Sequence, residues 1–583
     1  MTVHWIDWTL VIAYFVFVTA IGLRYRDRAG SSMADFFVSG RSLPWWLAGT
    51  SMVATSFASD TPLAVTGLVA RNGIAGNWLW WNFVMSGMLT VFFYARLWRR
   101  VGVLTDVEFT EVRYAGRPAA ILRAFRALYL AVPINCIVIG WVTLAMAKIL
   151  GICLGVDRWV AVGICVALTV LYSTMSGLWG VVITDFVQFG LAMGGTIALA
   201  FFALHEVGGM SGLTQKLAAQ YGAEHALLDF FPRVGSAWMP MSAFLVYIGV
   251  QWWAAWYPGA EPGGGGSVAQ RMLSTRDEKH ALLATLWFNV AHYALRPWPW
   301  IIVALVSMVL FPGLADKEAG YVHVMVRVLP VGFRGLLLMA FGAAFMSTIS
   351  TAINWGASYI VNDFYRRFLK PEASERHYVL VSRGATVLMM VIAAVITSFM
   401  DTVSGAWRVL LAIGAGTGGV YILRWFWWRI NAWSEISAMV ASLAVALVLQ
   451  LGFGLNADQP QDFAVLMLLT VACSTIVWVT VTLLTPPVDE KRLVAFYQKA
   501  RPGGPLWGPI RHKLGNPGPA EPLWRDFVDW LAGCALVYTA LFGIGKLILG
   551  HTTVGLLLVA ASLGAAVLLY RDLQRRGFAA VAR

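Results

Sequence analysis

Apolar runs long enough to cross a bilayer follow one another along almost the whole chain. A hydrophobic run of roughly 20 residues spans the hydrocarbon core. On that measure the pattern predicts about fifteen helices, near 6–24, 44–70, 77–98, 121–152, 158–176, 178–204, 238–258, 279–311, 332–362, 377–400, 403–428, 432–452, 462–484, 527–549 and 552–570. The expected fold class is an all-α polytopic membrane protein. The longest polar stretch, about 486–525, is rich in Pro and Gly and carries a short amphipathic piece, Lys491–Lys499. It leaves no room for a soluble catalytic domain.

The informative positions are the polar ones inside apolar runs. Phe57-Ala58-Ser59-Asp60-Thr61-Pro62 puts a carboxylate and a proline where lipid is expected. Pro62 has no N–H for the carbonyl of Ala58, and the residue before a proline, Thr61, is biased away from helical geometry. Freed carbonyls at membrane depth survive only where protein, a cavity or an ion covers them. Broken helices of this kind hold coupling cations in many transporters. Further breaks are signalled at Pro240 and Pro258, five helices later, the separation expected of a five-plus-five inverted repeat. The loop Pro258–Gly266, which ends in the glycine run Gly263–Gly266, reads as a flexible connector or hinge or as a plain linker.

In the ninth helix Ser347, Thr348, Ser350 and Thr351 follow the small residues Gly342, Ala343 and Ala344. Small and hydroxyl residues allow close helix packing. Hydroxyl and carbonyl oxygens are also the ligands a small hard cation prefers. Ser347, Thr351, Asn354 and Ser358 share one helical face. In the eighth helix Asn289, His292, Arg296 and Trp300 do the same, with Arg296 near mid-membrane. An arginine at that depth faces a cavity and pairs with a carboxylate. Two readings stand side by side: the carboxylate of a solute, or an internal salt bridge with Asp60. Asp185, about one turn into its helix, is either functional or a structural partner of an arginine. Aromatic and polar residues beside the breaks (Trp80, Trp81, Asn82, Asn135, Gln251, Trp252, Trp253) are candidates for a solute cavity, as are Trp256 and Tyr257, which also suit an interface belt.

Composition agrees with the pattern. The chain is 59% hydrophobic and 13% charged, against roughly 25% charged in soluble domains. The formal charge of +13 would suit nucleic acid, but the basic residues fall in alternate connections: Arg24, Arg26 and Arg28; Arg96, Arg99, Arg100, Arg113 and Arg117; Arg271, Arg276 and Lys279; Arg366, Arg367 and Lys370. Basic loops face the cytoplasm. The expectation is a multi-pass protein of the cytoplasmic membrane, N-terminus outside and C-terminus inside, partnered by lipid and a small solute, with no nucleic acid and no obligate protein partner. The first apolar run lacks a basic leader and a cleavage site, so it reads as a retained helix. Trp425, Trp427 and Trp428 beside Arg429 read as an interface belt. The 5 cysteines have no metal-ligand spacing and read as packing residues.

The segments Leu43-Pro-Trp-Trp-Leu-Ala48 through Ala58-Ser-Asp-Thr61, Glu108–Tyr114, Tyr172–Gln188 and Ala344-Phe-Met-Ser-Thr348 together resemble the sodium:solute symporter family over roughly residues 5–430. The resemblance implies a leucine-transporter-type fold with one extra helix (1–30), two inverted repeats (40–205 and 236–430) and a C-terminal region of about four helices (431–583). It implies a main sodium site from the carbonyls of Ala58, Thr61 and Ala344 and the hydroxyls of Ser347 and Thr348. Some members resemble this chain in a second site, which would fall on Asp185, Ser347, Ser350 and Thr351. In relatives an aspartate at the position of Asp60 supports sodium binding; here it is open to the cation, the solute or an internal pair. The expected function is sodium-coupled import of a small organic solute by alternating access, with Na+, one ion or two, as the only metal and no enzyme chemistry. The alternatives are a transporter-fold sensor and proton coupling. The family's sugar-binding glutamine position is Val65 here, which argues against a sugar.

Overall fold

A computed structural model describes residues 4–29, 39–103, 105–172, 178–222, 226–236, 238–255, 262–515 and 522–576. Among these residues the chain is helical almost throughout, and the single extended pairing is an isolated parallel bridge between Leu43 and Thr275. Nine helices are long and apolar enough to cross a membrane, or ten if the bent pair Val403–Gly414 and Gly418–Phe426 is one span. Two of the other expected spans are broken. That difference has a physical reason: breaks at Ser56–Ser59 and after Ala254 cut two spans into half-helices. Trp256, Tyr257 and Pro258 lie outside the described residues, as do Ser173–Gly177 and the side chain of Asn354.

The helices that build the centre are α1 (Trp5–Ala29), α2 (Trp45–Thr55), α3 (Asp60–Asn72), α4 (Asn135–Leu154), α5 (Leu178–Val207), α6 (Gly266–Ser274), α7 (Glu278–Asn289), α8 (Pro297–Leu310) and α9 (Phe333–Ser358). α2 packs against α5, α6 and α7, while α3 packs against α8. α1 lies outside, against α5 and α9. Its Asp7 accepts the N–H groups of Gly332 and Gly335 at 2.8 Å, capping the start of α9. A carboxylate there satisfies orphan donors and complements the helix dipole.

The C-terminal helices are fastened to this centre. Leu523–Ile548 and Thr552–Arg575 pack on each other. The first reaches inward through Trp530 Nε1, which donates to the Met85 carbonyl, and the Tyr538 hydroxyl, which donates to the Trp81 carbonyl. Asp526 receives Arg96 and Arg576, each at 2.8 Å. The segment after Leu484 folds back as the helix Glu490–Ala500. Its Phe496, with Trp507, stacks under Arg113 and Trp425.

Three expectations change at this level. Arg96, Arg113 and Arg271, read as loop charges, are buried. Arg113 spends its guanidinium on the carbonyls of Arg424, Trp427 and Trp428. Trp425, read as interface, is a core residue whose carbonyl accepts the Trp507 indole at 2.8 Å. The glycine run is not a solvated linker. Gly263–Gly266 is buried, with φ of +83° at Gly263 and +72° at Gly264. The Trp98 indole donates to the Gly263 carbonyl at 2.7 Å. Positive φ and close neighbours on every side are the conditions under which only glycine serves.

Candidate functional site

The centre of the site is the first break. Helical bonding of α2 ends with Ser56 N–H on Met52 O (3.3 Å) and Phe57 N–H on Ala54 O (3.0 Å). The chain then runs without helix to Ser59. The break lies one turn earlier than the proline argument places it. Thr61 is helical, because Pro62 sits in the first turn of α3, where its missing N–H would have no partner anyway. The consequence for Ala58 stands, since Pro62 has no hydrogen to offer its carbonyl. Thr61 Oγ1 donates to Ser56 O at 3.4 Å, folding the new helix back onto the end of the old one.

Arg296 closes the broken end of α2. Its Nη1 donates to Val53 O (3.4 Å) and Ser56 Oγ (3.2 Å), and its guanidinium lies 4.9 Å from the Trp300 ring and 5.7 Å from the Phe57 ring. A cation at a helix C-terminus satisfies orphan carbonyls and complements the dipole. His292 completes the cluster. Arginine only donates, so His292 Nε2, 3.2 Å from Arg296 Nη2, is the acceptor. Nδ1 then carries the hydrogen and donates to Ser56 Oγ at 2.9 Å, while Ser56 donates to Val53 O at 2.9 Å. The imidazole is thereby fixed as one neutral tautomer. Arg296 reaches this place through a π-turn, Val290–Leu295, in which its N–H bonds Ala291 O at 3.1 Å. Pro297 and Pro299 deny hydrogens to the preceding turn, a usual cause of such widening. The same turn removes Asn289 from the expected shared face: it bonds Thr285 O at 2.8 Å and packs directly on Gly87.

α9 meets the break from the other side. Thr348 Oγ1 donates to Thr55 O at 3.4 Å. Ser347 Oγ donates to Asp185 Oδ1 at 2.8 Å, and Ser350 Oγ to Ser347 O at 3.2 Å. Ser51 Oγ holds the other oxygen of Asp185 at 2.7 Å. Arg271, fully buried on α6, places Nη2 3.9 Å from that oxygen and donates from the same nitrogen to Thr55 Oγ1 at 3.1 Å. Both broken helices, α5 and α9 thus converge on one carboxylate. Arg271 and its hydroxyl partners Ser51 and Thr55 belong to this cluster, and sequence reasoning missed them. The available signal was an arginine in the half-helix after the glycine run.

A cavity with about 1230 Å³ of empty volume, including the space open at its mouth, lies between these elements. It gathers Ala58, Asp60, Thr61, Asn135, His292, Arg296, Thr348 and Thr351 from the expected site residues. Ala344 and Ser350 are buried outside the lining, and Ser347 is turned to Asp185 behind it. Trp81, Asn82, Gln251, Trp252 and Trp253 do not line it. Each has a packing role. Trp81 rests on Trp78 and Phe542; Asn82 bonds the Trp78 and Leu79 carbonyls; Gln251 bonds Leu79 O at 2.8 Å. Trp252 stacks on Trp530, and Trp253 bonds Gly249 O. The aromatic walls come from Trp80, one of the expected candidates, and from Phe83, Trp141, Tyr293, Trp355 and Trp407, which were not among them. Nothing local distinguishes Trp141, Trp355 and Trp407 from other tryptophans in apolar helices.

The chain is similar to known proteins over most of its length. Residues 36–443 match the model of the sodium:solute symporter family. The chain is 24% identical to sodium/glucose cotransporter 4 of Danio rerio, over 84% of this chain and 80% of that protein. It is 25% identical to the sodium/glucose cotransporter of Vibrio parahaemolyticus, over 76% and 85% respectively. Its fold is similar to that of a Na+-coupled sialic acid symporter solved in a substrate-bound outward-open state, with a TM-score of 0.62 and 20% identity over 83% of this chain and 99% of that one.

Proposed function

The chain belongs to the sodium:solute symporter family, and from that premise we propose how its own residues couple a sodium ion to a solute. It is a sodium-coupled symporter of a membrane, in a family of transporters rather than enzymes. The reading places sodium between the first break and α9, liganded by the carbonyls of Ala58, Thr61 and Ala344 and the hydroxyls of Ser347 and Thr348. The observation that carries it is the approach of Thr348 to the Thr55 carbonyl, because it puts the hydroxyl-rich turn of α9 against the broken end of α2. The hydrogen of Ser347 is directed at Asp185, which leaves the oxygen's lone pairs to face a cation. A second ion at Asp185, Ser347, Ser350 and Thr351 would have to share the carboxylate with Arg271.

Sodium bound to both stretches holds them together, and a state in which α9 withdraws from the break loses the hydroxyl ligands and releases the ion. A ligand shifts such an equilibrium only through its different affinity for the two states. The solute occupies the adjoining cavity and is carried inward with the ion across the cytoplasmic membrane, with the N-terminus outside. Uptake into proteoliposomes tests the reading. Alanine at both Ser347 and Thr348 raises the sodium concentration for half-maximal uptake at least about tenfold, the loss of roughly 1.4 kcal/mol of ion binding. An unchanged sodium dependence in that double variant refutes the site. Undiminished uptake without sodium, driven by a pH gradient, refutes sodium coupling.

A further inference from the structure

The hydrogen bonding inside the cavity is nearly closed, and what remains open points to a solute chemistry. Arg296 is engaged with Val53, Ser56 and His292. Both nitrogens of His292 are engaged, and Asn135 Nδ2 donates to Ala352 O at 2.6 Å. Asp60 differs. Its side chain is buried in the cavity wall, 4% exposed, and its Oδ1 has no hydrogen-bond partner among the described residues. A buried carboxylate oxygen without a donor is costly unless a ligand supplies one. Its charge has support from the N-terminal turn of α3, where it is the first residue, from the positive field of Arg296 and from the indole N–H of Trp407, which leaves Oδ1 as the oxygen without a donor. Trp80, Tyr293 and Trp407 contribute aromatic surface to the same cavity.

We propose that the solute carries a protonated amine, which donates to Asp60 Oδ1 while the aromatic faces cover the rest of the cation. The proposal rests on the symport reading and adds the substrate class to it. An ionised carboxylate only accepts hydrogen bonds, so its complement is a donor. A charged donor makes a bond about twice as strong as a neutral one. Aromatic faces add cation–π attraction in a site shielded from water. The guanidinium of Arg296 is spent on the end of α2. It serves the cavity by balancing Asp60 and holding the break.

The test uses the full chain, purified in nanodiscs, with thermal stability and competition for uptake as readouts. Amines (L-leucine, L-phenylalanine, phenethylamine, agmatine) are compared with amine-free partners and polyols (2-hydroxy-4-methylpentanoate, 3-phenyllactate, glucose, myo-inositol), at saturating sodium. At least one amine binds about tenfold or more tighter than its amine-free partner, the worth of one charge-assisted bond. Asp60→Asn erases that difference and Asp60→Glu retains it. Wild-type protein that binds an amine-free compound as tightly as any amine, or binds no amine, while still being stabilised by sodium overturns the proposal. So does an Asp60→Asn variant that keeps the amine preference and loses only its sodium response, because the carboxylate then serves the ion. Wild-type protein with no response to sodium in any arm is a separate result and removes the symport reading itself.

Discussion

Replacing Arg296 with methionine removes the group that closes the end of α2 while keeping most of its apolar stem. Three losses follow from the contacts. The bonds to Val53 O and Ser56 Oγ are long, at 3.4 and 3.2 Å, so they count toward the low end of the range for charged donors, about 1.5 kcal/mol each. His292 loses the donor to its Nε2. Asp60, buried in the same cavity, loses its balancing charge, and breaking a buried charge relation costs about 3–5 kcal/mol. These terms share one network and do not add, so the expected loss is about 3–5 kcal/mol in all. Native stability is about 5–15 kcal/mol, so this is a large share of it. The chain carries its own reporter. Cys136, Cys153, Cys165 and Cys534 are buried thiols, and Cys473 is exposed. With Cys473 changed to serine, a thiol-reactive dye follows unfolding of the helical centre on heating. Arg296→Met then unfolds at a clearly lower temperature and loses uptake. Arg296→Lys keeps the charge without the planar fork and falls between. A methionine variant with the wild-type melting profile and uptake refutes the assignment of Arg296 as the clasp of the break.

Three further substitutions probe the frame around the site. Glu318 accepts the N–H groups of Val403 (2.9 Å) and Ser404 (3.0 Å) and pairs with Lys148 at 3.0 Å, so Glu318→Gln turns a donor toward donors and lowers stability by about 3–5 kcal/mol in the same melting assay. Gly264→Ala forces φ of +72° on a residue with a Cβ, which then lies 3.1 Å from Met272 and Trp98. The expected cost is about 1–2 kcal/mol, with slower transport read by uptake at saturating sodium. Asp526→Asn weakens the ties to Arg96 and Arg576, so limited proteolysis releases the C-terminal helices at a lower protease dose than in wild type, while sodium half-saturation is unchanged.

The sequence was most legible where a residue type forbids something. Pro62 announced a break and the hydroxyl cluster of Ser347–Thr351 announced a face with oxygen ligands, and the structure sets the two stretches against each other. The position of the break was misjudged by a turn, because a proline that would interrupt a helix also starts one well, and only the tertiary partner of Ser56 decides between them. Arginines were the hardest to read. Charge counting treats Arg96, Arg113 and Arg271 as equivalent to solvated loop residues, yet each is folded inward onto carbonyls or carboxylates that lie distant in the chain. Trp80 aside, the cavity's tryptophans were equally hidden. Trp252 and Trp253 lie beside a break and do not line the cavity, whereas Trp407, remote in sequence, does. Proximity to a break along the chain does not determine which way a helix is turned.

The meeting of Ser51, Asp185, Arg271 and Ser347 has a consequence for how such a molecule can move. Pulling any one helix away strands a charge or a hydroxyl in a dry interior, so partial displacements are penalised and graded opening is suppressed. The junction therefore behaves as a detent: its helices travel together, or they let go in a single cooperative step.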